Sequence, residues 1–205
     1  MKKNLRDLFF IEIGTSYFNT LEHLAEQGWS GIFVEPDNYY ISKLKRYSNC
    51  FYENSAVLDY EGESDFIAYD AEWKHLEQWA AGVGQTDLNF NNMKINSNWP
   101  TVNFKVNVIT LNKLIQKYDV NKIDFLKIDI EGHDTKILYA YDFSVRPSKI
   151  KMEVKHMIDH PNKYGKLEDF LDYMNDNDYS FYGELWNSEE SELNTPDVWF
   201  FDNLR

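Results

Sequence analysis

The chain has one cysteine, Cys50, in 205 residues, so no internal disulfide can form and the core alone must hold the fold. Phe51 and Tyr52 beside it predict a buried thiol rather than a nucleophile, and so little cysteine suits a reducing compartment. Basic residues are scarce: 21 Lys and Arg against 34 Asp and Glu give a formal net charge of -13. A polyphosphate backbone repels such a chain unless a local basic stripe compensates. The densest basic run, "KLKR" at 43–46, is expected to be a solvated helix end whose cations suit the helix C-terminus. Nucleic acid is therefore not an expected partner. No apolar window approaches the roughly 20 residues of a membrane span. The stretch opening "MKKNLRDLFFIEIG" is broken by Glu12, with no small-residue cleavage site behind it. These absences predict a soluble cytoplasmic protein with no membrane association. Neither repeats nor a low-complexity linker divides the chain, so one domain over 1–205 is expected; its 43% hydrophobic and 17% aromatic content is globular. The oligomeric state stays open.

What is present is an alternation of short apolar runs with amphipathic stretches, the pattern of strand–helix–strand units on a largely parallel sheet. "LFFIEI" (8–13), "GIFVE" (31–35), "CFYEN" (50–54), "IDFLKIDI" (123–130) and "KIKMEV" (149–154) read as strands. Helices are expected around Leu21, Leu24 and Ala25, ended by Gly28, and along Tyr40, Ile41, Leu44 and Tyr47, capped by Asp37. Others follow along Leu111, Leu114, Ile115 and Tyr118, capped by Thr110, around Ile137, Leu138 and Tyr141, and along Leu167, Phe170, Leu171 and Met174. "EGESDFIAYD" predicts a hairpin turning on Gly62, and order is expected to return at "FKVNVITL" (104–111). Between them, 71–103 has no clear period and is expected to be a lid, a substrate-facing insertion or a run of short elements. "YSFYGELW" and "DVWFFD", joined by the acidic "NSEESELNTP", predict an antiparallel pair at one edge.

Ligands of open parallel sheets lie beyond the carboxyl ends of the strands. Of the five segments there, "EIGTS", "EPD", "NSA", "DIEGHD" and "EVKH", four carry a carboxylate. "EIGTS" has Gly14 where dinucleotide sites use three glycines to close backbone amides on a pyrophosphate. That poverty suits a cofactor without phosphates, of which S-adenosylmethionine is one, with Thr15 or Ser16 binding a polar end or capping the helix. Glu35 stands 21 residues beyond Gly14, close to the distance of about 20 at which an acid accepts from ribose hydroxyls.

"IEIGTS", "GIFVEPD", "NSAV" with its "EG" turn, "VNVITLNKLI", "IDFLKIDIEGHDTKIL" and "IKMEVKH" resemble, in order and rough spacing, the FkbM-type family of class I S-adenosylmethionine-dependent methyltransferases. The resemblance covers most of 8–156, and "KIDIEG" is its most specific part. It implies an α/β, Rossmann-like class I methyltransferase fold: a seven-stranded, mostly parallel sheet with helices on both faces and a C-terminal antiparallel hairpin. It also implies O-methylation, often of sugar hydroxyls in glycans or natural products, so a small-molecule or glycan acceptor is the expected partner. By position, Glu12, Gly14, Thr15 and Ser16 would line the methionine side of the cofactor, Glu35 would hold the ribose, and Ser55 and Ala56 would flank the adenine. The chain departs from the family at Phe18, where a further glycine is usual, and at "EGHD", where "EGAE" is common.

Methyl transfer to oxygen requires the hydroxyl to lose a proton while a sulfonium loses its charge, so acids and a base belong together after the fourth strand. Asp129 is expected to orient substrate or cofactor and His133 to act as base, with Glu131 or Asp134 fixing its tautomer. Alternatively Asp134 caps the helix, Glu131 is a turn acid and His133 is solvated. His156 is the second candidate base. No metal centre is expected: Asp129 and Glu153 suit a hard cation but lack an evident third ligand, and His156 and His160 are followed at once by Pro161. Trp73, Trp79 and Trp99 are candidates for stacking on a sugar or for anchoring their segment. The competing classes are a non-catalytic binding module of the same shape, a divalent-metal-assisted O-methyltransferase, and an NAD-dependent enzyme, against which the glycine-poor turn argues.

Overall fold

The computed structural model describes residues 7–16, 20–73, 75–76, 80, 82–86, 99–182 and 197–205. Tyr17, Phe18, Trp79 and the acidic 187–196 connection lie outside the described residues. The first half alternates β1 (Phe9–Ile13), α1 (Glu22–Glu26), β2 (Ser30–Val34), α2 (Asn38–Lys43) and β3 (Cys50–Glu53). After an excursion come α3 (Leu111–Lys117), β8 (Phe125–Ile128), α4 (Asp134–Ala140) and β9 (Lys149–Glu153). The chain ends with α5 (Lys155–Asp159), α6 (Pro161–Tyr164), α7 (Leu167–Asp176), β10 (Tyr179–Tyr182) and β11 (Asp197–Asp202). The two short helices α5 and α6 occupy the "HMIDHPNKY" stretch, where the apolar period is too brief to predict them.

The main sheet has seven strands in the order β10-β11-β9-β8-β1-β2-β3. β3, β2, β1, β8 and β9 run parallel, and β11 joins antiparallel between β9 and β10. Side chains alternate across a strand, so β1 sends Phe10 to one face and Ile11 and Ile13 to the other. Phe10 and Phe33 pack with Leu21, which precedes α1, with Ala25 of α1 and with Ile41 of α2. On the opposite face Ile11, Ile13, Leu126 and Ile128 pack with Leu114 and Ile115 of α3, Leu138 of α4 and Phe170 and Met174 of α7. Each such fully buried aliphatic or aromatic side chain contributes roughly 1.5–3 kcal/mol. Two of the expected caps are in place: Asp37 accepts from Tyr39 N at 2.8 Å and Thr110 Oγ1 from Lys113 N at 3.2 Å. Gly28 follows α1 with φ +94°, as an αL stop requires. Arg46, beyond α2, donates to the carbonyl of Ile41 at 2.9 Å.

The excursion forms a second sheet that the sequence does not announce. β4 (Ala56–Val57), β5 (Gly62–Tyr69), β6 (Gly84–Gln85) and β7 (Thr101–Ile109) lie in the order β4-β7-β5-β6. Gly62 therefore makes no hairpin. It opens β5, which pairs antiparallel with β7 from Gly62↔Val108 to Tyr69↔Thr101, while β4 pairs with the same β7 in parallel. Order returns at Thr101, three residues before the predicted start, because the β5 partner extends the ladder. Trp99 packs on Tyr69 with ring centroids 5.2 Å apart and on Trp73 at 6.0 Å, so both described tryptophans anchor this segment. Cys50 is only half-buried, a correction to the buried thiol expected from its neighbours. Among the described residues no helix is long and apolar enough to cross a membrane.

Candidate active-site cleft

Strand order reverses at β1, whose neighbours are β2 and β8, and a ligand crevice belongs beyond that point. A cleft opens there with an empty volume of about 900 Å³, solvent at its mouth included. Gly14, Thr15 and Ser16 form its floor, Glu35 one side, Asp129, Glu131 and His133 the other. Ala56, Leu58 and Phe66 of the second sheet supply an apolar wall, and 82–86 supply another.

The first three residues after β1 have already used their amides. Gly14 N and Thr15 N both donate to the carbonyl of Val34, at 3.0 and 3.2 Å. Ser16 N donates to Glu35 Oε2 at 2.7 Å. With all three committed, residues 14–16 leave no backbone donor for a diphosphate, which is what glycine-rich turns provide. Gly14 itself has φ +79°, and a Cβ there would lie 1.8 Å from the Asp129 carbonyl oxygen. Its lack of a side chain therefore serves first to let β1 and β8 close together at their ends.

Glu35 is 3% exposed. Its other oxygen accepts from Asp37 N at 2.9 Å. Burial pushes its carboxyl up to about 7, against the pull of those two backbone donors. Ser55 donates to Glu53 Oε1 at 2.6 Å and, with Ala56, borders the same end of the cleft. Thr15 Oγ1 and Ser16 Oγ are buried without a hydrogen-bond partner among the described residues.

Glu12 is not on the cleft wall, a correction to the expectation that it lines the cofactor. Strand alternation turns it toward α1 with Phe10, and it takes over the cap that Leu21 cannot supply. Its oxygens accept from Thr20 N at 2.9 Å, Thr20 Oγ1 at 2.7 Å and Leu21 N at 3.1 Å. The β1/β8 register sets Glu12 beside Lys127, a residue the sequence reading passed over. Lys127 Nζ lies 3.5 Å from Glu12 Oε1 and 3.1 Å from Asp129 Oδ2. Burial alone would lower the Lys127 pKa, but Asp129 and Glu12 outweigh it and the pKa is raised. Asp129, by contrast, is 42% exposed at its carboxylate, open to the cleft. A lysine inside the apolar run "DFLKIDI" was the available signal, since a buried cation needs buried acids.

His133 precedes α4 at the junction of the cleft and a smaller polar recess. Leu58, Thr86 and His133 border both, and Asp59, Tyr60 and Lys136 border the recess alone. Asp134 is buried; its carboxylate accepts from Ile130 N at 3.3 Å and Gly132 N at 3.1 Å, and burial, then the charge of Asp129, pushes it up to about 7. It thereby closes the 130–134 turn, in which Glu131 is held at φ +60°. The Glu131 carboxylate reaches His156, Oε2 to Nε2 3.3 Å. Glu153 Oε2 lies 3.5 Å from the same nitrogen. The Glu153 carboxyl is raised by burial and then by Glu131. His156 is raised by those two acids although burial opposes it. His156 is not among the described residues that line the cleft; Glu131 is. Gln85, also unforeseen, donates to the Glu131 carbonyl at 3.1 Å and ties the 82–86 wall to this loop.

Residues 10–181 match the family model described as Methyltransferase FkbM domain. No curated protein matches the chain. Among solved structures, a fibrillarin/Nop5p complex is similar at 15% identity with a TM-score of 0.46, over 95% of this chain and 71% of that one. The plantazolicin methyltransferase BpumL in complex with SAH is similar at 10% identity with a TM-score of 0.45, over 96% and 76%.

Proposed function

Because the chain belongs to the FkbM methyltransferase domain family, we propose that it transfers a methyl group from S-adenosylmethionine to a hydroxyl of a sugar, glycan or related small acceptor. Seven strands, helices on both faces and a terminal antiparallel pair support reading the fold as a Rossmann-like class I methyltransferase. The observation that carries the cofactor assignment is the β1 turn, whose amides are spent on Val34 and Glu35. Residues 14–16 thus offer no amide to a diphosphate, and a buried acid, Glu35, stands beside an apolar wall.

The residues present fit this cofactor. Glu35 has remaining lone pairs for the two ribose hydroxyls. Ala56, Leu58 and Phe66 offer an apolar slot to the adenine, with Ser55 at its edge. Thr15 Oγ1 and Ser16 Oγ, buried and unpartnered among the described residues, suit the polar end of the methionine moiety. The bound cofactor supplies a methyl group on a positively charged sulfur. Asp129, pinned by Lys127, provides negative charge and an acceptor on that side of the cleft. His133 stands where the cleft meets the polar recess, so an acceptor lodged against Asp59, Tyr60 and Lys136 would present its hydroxyl to the imidazole. The ring takes the hydroxyl proton as general base.

Calorimetric titration of the protein with S-adenosylmethionine tests the assignment. Saturable one-to-one binding, with NADH failing to compete, is the expected result. Absence of binding would return the chain to a non-catalytic module of the same shape.

A further inference from the structure

Three side chains converge behind the Glu131 end of the cleft. Glu131 comes from the loop after β8, Glu153 from the end of β9 and His156 from the start of α5. Their ligand atoms all lie within 4.8 Å of one another. Residues so separated in sequence meet only because β8 and β9 are neighbours in the sheet.

The spacing within the cluster is informative. His156 Nε2 is 3.3 Å from Glu131 Oε2 and 3.5 Å from Glu153 Oε2. Charge-assisted N–H···O bonds settle at about 2.7–2.9 Å, and one ring nitrogen carries at most one proton, so it cannot donate to both acids. Nitrogen and oxygen donors on a common first-row cation, with bonds of about 2.0–2.2 Å, stand roughly 3.0–3.6 Å from one another. The two separations from His156 match the second arrangement. Independently, the Glu153 side chain is 9% exposed and makes no side-chain hydrogen bond among the described residues; its one ion-pair partner there is the His156 ring, 3.5 Å away, toward which its carboxylate is aimed. A carboxylate that dry is costly without a cation or a donor to meet it. Lys127, on the neighbouring strand β8, is engaged by Glu12 and Asp129.

We propose that Glu131, Glu153 and His156 form a divalent-cation site. Two carboxylate oxygens and one imidazole nitrogen suit Mn²⁺ or a similar first-row ion better than Ca²⁺, which takes oxygen ligands alone. Three protein ligands leave positions open, as in catalytic rather than structural centres. Glu131 belongs both to this cluster and to the cleft wall, so a held cation would present its open side toward the acceptor end. There it would orient an acceptor oxygen and stabilise developing negative charge. That role rests on the methyl-transfer reading; the binding site itself does not.

The test uses the full chain with Mn²⁺ alone, without cofactor or acceptor. Titration followed by electron paramagnetic resonance should find one saturable site per chain, with the nitrogen modulation of a directly bound imidazole in the pulsed spectrum. Glu153→Gln and His156→Gln should each weaken it at least 10-fold, and His156→Gln should abolish the nitrogen signal. Thermal unfolding of both variants checks that they fold, and either one suffices. No saturable binding up to millimolar Mn²⁺ overturns the site. Equal affinity in the variants also overturns it, the metal then being an adventitious counter-ion of an acidic chain. Failure here leaves S-adenosylmethionine binding untouched, and calorimetry with that cofactor distinguishes the two.

Discussion

A Cβ added to Gly14 would stand 1.8 Å from the backbone carbonyl oxygen of Asp129. This contact joins the turn after β1 to the end of β8, the two segments that carry the floor and the far wall of the cleft. Gly14→Ala meets both the positive φ and the carbonyl, neither of which a flexible side chain can relieve. Backbone strain of roughly 1–2 kcal/mol and overpacking of roughly 1–3 predict a loss of about 2–5 kcal/mol. Urea unfolding should record it as a lower midpoint with an unchanged slope; a variant as stable as the parent would mean the β1–β8 approach is looser than described.

Lys127 is the cation between two acids, one of them fully buried. Lys127→Met should cost about 3–5 kcal/mol, since it leaves the Glu12 charge buried and unpaired. Combining it with Glu12→Gln should recover part of the loss, and the coupling from a double-mutant cycle measures the pair. Strict additivity would show that Glu12 is held by Thr20 and Leu21 alone.

The Glu35 carboxyl, pushed up to about 7 by burial, makes two pH predictions of opposite sign. An acid raised above its unfolded value of 4.5 binds a proton more readily in the folded state. Its contribution to stability is therefore greatest below pH 4.5, declines as pH rises toward 7 and is level above. Stability should fall less between pH 5 and 8 in Glu35→Ala than in the parent. Acceptance of ribose hydroxyls needs the carboxylate, so cofactor affinity should rise through pH 7 in the parent and stay flat in the variant. At pH 8 the variant should lose about 1–3 kcal/mol of binding. Calorimetry at several pH values reads this, and equal affinity would place the ribose elsewhere.

His133→Ala should lower turnover by about 10²–10⁴-fold, the range of a general base. Cofactor affinity should be nearly unchanged, because the proposed role of the imidazole is toward the acceptor in the recess that His133 borders. Initial rates beside a cofactor titration separate the two. Full activity would remove His133 from the chemistry.

Much of the main sheet is written locally. Strands β1, β2 and β3 are short apolar runs, and Asp37, Thr110 and Gly28 mark helix ends by chemistry that works within a few residues. The apolar run "GIFVE" puts Glu35 at the end of the second strand, and Glu35 directly follows β2. The second sheet was misread because its ladder joins Gly62–Tyr69 to Thr101–Ile109. Neither partner carries a mark of the other, and a glycine after an acidic turn imitates a hairpin. Glu12 was misassigned for a subtler reason. A strand position after an apolar run reads as a site residue, but which face it takes depends on parity, and parity is settled by what covers each face.

The sequence by itself determined the alternation of strands and helices, the acids that follow the strands and the poverty of glycine at the first turn, because periodicity, caps and backbone freedom act over single elements. Tertiary structure alone decided that Lys127 would lie between Glu12 and Asp129, that Gln85 would reach the Glu131 loop, and that His156 would face two glutamates. Those meetings depend on strand register and on the neighbours each strand acquires, and both are set by contacts between residues far apart along the chain.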